Sequence, residues 1–154
     1  MTQQLTDLIA YFRSLSEQLR PINSFIYGAP DRIFSGTRSG LEYPILWLEA
    51  PDYGFSDNGA GQPTLDPSLG LVVLVQQGDD PDQAYADAQR WLLELLRRVH
   101  HDSRLARFGF ALAKVRINPI STLSVDEECG YRAEFPLQEF FDLRLDESLW
   151  EPAP

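Results

Sequence analysis

Tyr43 to Gln77 reads YPILWLEAPDYGFSDNGAGQPTLDPSLGLVVLVQQ, and the fold turns on how this stretch is divided. Two strongly apolar runs, 43–50 and 69–77, flank residues 51–68, which carry three glycines and three prolines. The apolar runs predict strands at Tyr43–Glu49 and Leu69–Gln77, covered on both faces. A hairpin needs only about two to five loop residues, so a connection as long as 51–68 implies a job beyond joining two strands. We read it as a long hairpin loop that reaches away from the body of the domain.

Working outward, residues 3–20 place Leu5, Leu8, Ile9, Phe12, Leu15 and Leu19 on one stripe of a helix that Pro21 ends. Residues 22–40 read as a loop with a short strand around Ile33 and Phe34. After the second apolar run, GDDPDQAYADAQRWLLELLRRVHHDSR predicts a helix. Asp79 or Asp80 caps it, Pro81 sits in its first turn, and Ala84, Ala88, Trp91, Leu92, Leu95, Leu96 and Val99 form its apolar face. Arg97, Arg98, His100 and His101 suit the negative end of its dipole. Residues 111–123 alternate loosely, and Pro119 marks an edge strand or a bulge. A long last strand follows, with Tyr131, Ala133, Phe135, Leu137, Phe141, Leu143 and Leu145 on one parity and Glu139 breaking it. The sum is one α+β domain over 1–154, in the order α-β-β-α-β-β. It has a mostly antiparallel sheet of about four strands, both helices on one face, and an extended tail at 146–154.

The chain has 154 residues and a formal charge of −10, which opposes any general grip on nucleic-acid phosphates. One cysteine, Cys129, allows no internal disulfide and points to a reducing compartment. No apolar run reaches membrane-spanning length, and the N-terminus reads as a soluble helix and not as a signal peptide.

Several stretches carry residue types used in chemistry. His100 and His101 are adjacent on a helix, so they point about 100° apart and cannot readily share a metal ion. With Asp102 they are better read as a helix end. Cys129 neighbours Glu127 and Glu128, which oppose the thiolate a nucleophile needs. Asp126, Glu127 and Glu128, and likewise Asp52, Asp57 and Asn58, lack the spacing of a calcium loop and read as solvated turns. The glycines of SDNGAGQP match no phosphate-binding pattern. We therefore expect no enzyme, no metal and no cofactor. Tyr53 and Phe55 in the loop and Trp150 in the tail are aromatics in polar segments, a common setting for protein–protein anchors. The reaching hairpin would also allow strand addition between copies.

The order of elements resembles the tail-terminator and tail-completion (head–tail joining) proteins of long-tailed bacteriophages and related contractile injection particles. The resemblance rests on the N-terminal amphipathic helix, on YPILWLEAP (43–51) opening a hairpin with a long tip, and on the strand from Leu69 running straight into a helix. RINPIST (116–122) then leads through an acidic turn into GYRAEFPLQEFFDLRL (130–145), which is similar to a G-x-R-x-x-F final strand. The resemblance implies a homo-hexameric ring that caps the tail tube and meets tube and connector proteins, with DNA passing through unbound. It implies assembly in the cytoplasm of a bacterial host cell, into a virion or phage-like particle. The interface residues would be Tyr53, Phe55, Asp57, Asn58, Leu65, Asp126, Glu127, Glu128 and Trp150. The alternatives are a monomeric protein-binding adaptor domain and, behind it, a small metal-assisted enzyme using His100, His101 and Asp102.

Overall fold

The structure, a computed structural model, describes residues 3–29, 41–57, 59–121 and 128–151. Its central element is strand β4, Pro63–Gln76, which has neighbours along both edges over most of its length. On one edge, β2 (Ile45–Glu49) pairs with Leu71–Leu74 and β3 (Asp52–Asp57) pairs with Pro63–Ser68, both antiparallel. On the other edge, β6 (Glu128–Pro136) pairs with Ser68–Gln76, and β7 (Glu139–Phe140) with Thr64 and Leu65. β5 (Arg116–Ser121) lies outside β6, and β1 (Ser24–Gly28) outside β2.

The fold is α+β, but two parts of the sequence reading are corrected. The sheet has seven strands among the described residues, in the chain order α-β-β-β-β-α-β-β-β, not four in the order α-β-β-α-β-β. It is mixed, because β1 runs parallel to β2, with Ser24 opposite Ile45 and Gly28 opposite Glu49. β1 escaped the reading because its five residues lack alternation; the first four are half-buried. The expected strand around Ile33 and Phe34 lies outside the described residues. The long last strand is also shorter than its pattern. It ends at Pro136, resumes for two residues in β7, and leaves Leu143 and Leu145 exposed beyond. Parity along the chain persists there without a neighbouring strand to pair with.

The helices α1 (Gln3–Gln18) and α2 (Pro81–Asp102) cover one face of the sheet, α1 over β1 and β2, α2 over β4 and β6. Leu8, Phe12 and Leu15 of α1 and Ala88, Leu92, Leu95, Leu96 and Val99 of α2 share a core with Leu46, Leu48, Leu69, Leu71, Val73, Ala133 and Phe135. Asp80 caps α2 by accepting a hydrogen bond from the Gln83 amide at 3.1 Å, Pro81 follows it, and Ser103 ends the helix in a left-handed conformation. Against the opposite face, Ile45, Trp47, Val72 and Leu74 form a second cluster with Ile26, Leu41, Tyr43 and Ile120. Both faces of the central strands are thus apolar, which is why 43–49 and 69–75 read as continuous hydrophobic runs.

Two glycines let the sheet close up. A Cβ on Gly130 would overlap the Val73 carbonyl oxygen, so only glycine lets β6 approach β4 there. A Cβ on Gly70 would occupy the space of the Glu49 carboxylate. Over that gap the Arg132 guanidinium donates to both Glu49 oxygens at 2.8–3.1 Å and to Glu134 at 2.8 Å, while the Ser68 hydroxyl donates to Glu134 at 3.4 Å. The hydrogen bonds that Arg132 donates to Glu49 and Glu134 hold it still more firmly protonated, and Arg132 keeps the Glu134 carboxyl below its ordinary pKa.

Candidate functional site: an exposed aromatic arm

Residues 52–57 and 63–68 are not an irregular loop. β3 and the first residues of β4 form a ribbon with Asp52 opposite Ser68, Phe55 opposite Leu65 and Asp57 opposite Pro63. Its tip bends where the Asp57 carboxylate accepts the Gly59 amide at 2.8 Å, and Gly59 and Gly61 take the left-handed conformations that side chains avoid. Every residue of β3 is exposed, and β3 pairs only with β4 among the described residues, so its outer edge faces solvent.

The two faces of this arm differ in chemistry. On one face, Ser56 and Thr64 hydroxyls lie 2.8 Å apart, and they donate to the Asp66 carboxylate at 2.5 and 3.0 Å. The Gln138 amide donates to Thr64 at 3.1 Å. These donors, the Ser56 hydroxyl foremost, pull the Asp66 carboxyl below its ordinary pKa. This polar staple ties the two strands of the ribbon together on that face.

The other face continues the helix-facing side of β4 beyond the reach of the helices. It carries Tyr53 opposite Pro67, and Phe55 opposite Leu65. Leu65 is buried at the foot, but Tyr53 is 45% and Phe55 66% exposed. Phe55 packs edge-on against Phe141 at 5.0 Å, and the Phe141 amide donates to the Pro63 carbonyl at 3.2 Å, which ties the end of β7 to the arm. Phe140, in register with Thr64 and so on the polar face, has a ring that is 65% exposed. Glu139 pairs in register with Leu65, and partial burial pushes its carboxyl pKa up, as it does the Tyr53 phenol. The residue that broke the sequence stripe therefore stands at the foot of the aromatic face.

The expected interface residues do not form one surface. Tyr53, Phe55 and Asp57 share the arm, with Leu65 buried beneath them. Trp150 lies in the tail, half exposed, after a turn at Glu147–Leu149 whose Asp146 carboxylate caps the Ser148 amide at 3.1 Å. Asn58, Asp126 and Glu127 lie outside the described residues. Glu128 does not sit on a solvated turn: it is fully buried at the start of β6, where it accepts a hydrogen bond from the Tyr43 hydroxyl. Cys129 is likewise in a strand and not a turn, and burial pushes its thiol pKa up. His100 and His101 are exposed in the last turn of α2, while Asp102 pairs with Arg98 at 2.8 Å and accepts the Tyr11 hydroxyl at 3.2 Å. Burial first, and then Asp102, push the Tyr11 phenol up to about 12. Among the described residues no three His, Cys, Asp or Glu side chains are grouped to hold a metal ion, and no helix is long and apolar enough to cross a membrane.

The sequence reading missed Phe140, whose exposure follows from β7 being two residues long, and a cleft between α1 and residues 103–108. The closeness of Arg104 and Arg107 in an otherwise acidic chain was the available signal for the cleft. No family model and no curated protein matches this chain.

Proposed function

We propose that the chain is a non-enzymatic assembly protein that forms a homo-oligomeric ring at the end of a phage-like tail or contractile injection particle. Its arm would engage a neighbouring subunit or the tail tube. The observation that carries this reading is the arm itself: a stapled, two-stranded ribbon with an open edge and Tyr53 and Phe55 left in water, beside exposed Phe140 of the adjoining β7. Large aromatics on a rigid support lose little conformational freedom on binding, which suits them to be anchors. The open edge of β3 is the kind of surface that strand addition uses. The tail-end assignment draws on the local resemblance of YPILWLEAP, RINPIST and GYRAEFPLQEFFDLRL to tail-completion proteins. In that setting the ring would assemble in the bacterial cytoplasm, meet tube and connector proteins, and let DNA pass through an acidic surface that does not grip it.

Light scattering across a wide concentration range, followed by negative-stain imaging of the most concentrated sample, tests this. Rings of about six subunits with an open centre are the expected outcome, since closed cyclic symmetry is what a head-to-tail contact produces when its rotation closes. A monomer at every concentration, both alone and with assembled tail tubes, would overturn the ring and leave a one-to-one adaptor as the better description.

A further inference from the structure

A cleft of about 540 Å³ opens between α1 and the segment that follows α2. Tyr11, Ser14 and Asp7 line it from the helix, and Arg104, Arg107 and Phe108 from the other side. The volume falls in the range of sites that take a few side chains or a small ligand. Arg104 lies over the Tyr11 ring at 5.4 Å and Arg107 over the Phe108 ring at 4.5 Å. Among the described residues neither guanidinium has an ion-pair partner, so each keeps its hydrogen-bonding edge for an incoming carboxylate.

The tail has the opposite character. Residues 146–151, DESLWE, hold three carboxylates and no cation, together with two large apolar side chains. Leu149 is 79% and Trp150 54% exposed, and no tail residue lines the cleft of its own chain. The tail departs from the arm side, where Phe141 is bonded to Pro63. An acidic segment with an exposed tryptophan and a cationic, aromatic-lined cleft are complementary, and the remaining acidity of the molecule makes the cleft unusual.

We propose that the tail around Asp146–Glu151 of one copy docks in the cleft between α1 and residues 104–108 of a second copy. Trp150 or Leu149 fills the apolar part, and the carboxylates pair with Arg104 and Arg107. The contact joins different surfaces of the two partners, so repetition generates a ring or a filament. The inference rests on the self-assembly reading above and names a second contact for it besides the arm.

Charge reversal on the full chain tests it. Arg104→Glu combined with Arg107→Glu makes cleft and tail both acidic; Asp146→Arg combined with Glu147→Arg makes both basic. All four sites are exposed, so unchanged melting temperatures verify folding. Sedimentation velocity should show each double variant associating about tenfold or more weakly than the wild type, because like charges now meet. Mixing the two should restore association, since each variant's cleft then meets an oppositely charged tail. Variants that associate like the wild type, or a mixture that restores nothing, would overturn the docking while leaving the ring reading to stand on the arm. A wild type that never associates would overturn the docking as well, since variants that pair only on mixing would then be joined by the introduced charges.

Discussion

Strand β4 is one strand in two environments. From Leu69 to Leu74 it is buried on both faces, between helices and the second apolar cluster, with β2 and β6 at its sides. From Pro63 to Ser68 the same backbone is flanked by β3 and β7, and beyond Leu65 at its foot no helix covers it. The first half is held by burial and the second by hydrogen bonds among Ser56, Thr64, Asp66 and Gln138. The two halves divide the labour: the buried half fixes the fold, and the solvated half extends that rigidity outward to an exposed surface.

Mutations should respect this boundary. Phe135→Ala, in the buried half, should cost about 4 kcal/mol, against less than about 0.5 kcal/mol for Phe140→Ala five residues along, as read by urea denaturation. Equal effects would erase the distinction. Gly130→Ala should cost about 3 kcal/mol, because the Val73 carbonyl that its Cβ meets belongs to the central strand and cannot give way. Near-wild-type stability would mean that β6 can shift on β4.

The Arg132 network lies at the border between the halves. Glu49→Gln should cost about 2 kcal/mol, less than a fully buried pair would, since these side chains retain some contact with water. Its pH dependence has a definite sign. Glu134 is held below its ordinary value of 4.5, so its contribution is present above that value and is lost as pH falls through the lower, folded one. In acid titration of stability, Glu134→Gln should flatten that loss, and an unchanged acid limb would remove Glu134 from the account.

Even a large change at the arm tip should cost less stability than the core and network substitutions. Replacing residues 55–64 with a short turn removes the Phe55–Phe141 contact and the tip pairing, and should lower stability by about 1 kcal/mol while abolishing assembly. Circular dichroism that shows an unfolded protein would make the arm part of the core instead.

What could be read from the sequence divides along the same line. The runs at 45–49 and 69–75 and the helix from Pro81 to Asp102 announce themselves, because two-sided burial and a capped amphipathic stripe leave strong local patterns. The arm strands do not: Asp52–Asp57 are exposed throughout and include Gly54, so neither alternation nor propensity marks them as a strand. Their pairing comes from being continuous with β4, which is a tertiary property. Tyr53 and Phe55 could still be singled out as exposed aromatics in a polar stretch, whereas the burial of Glu128 depends on Tyr43, which is distant in sequence.

The central claim is that the solvated half of the β3–β4 ribbon serves assembly and not folding. The most direct test is light scattering, with a parallel thermal melt, of the full chain carrying Tyr53→Ser, Phe55→Ser and Phe140→Ser together. The triple variant should melt within a few degrees of the wild type, as surface changes do, yet remain monomeric at concentrations where the wild type associates. A triple variant that assembles as the wild type does would contradict the claim.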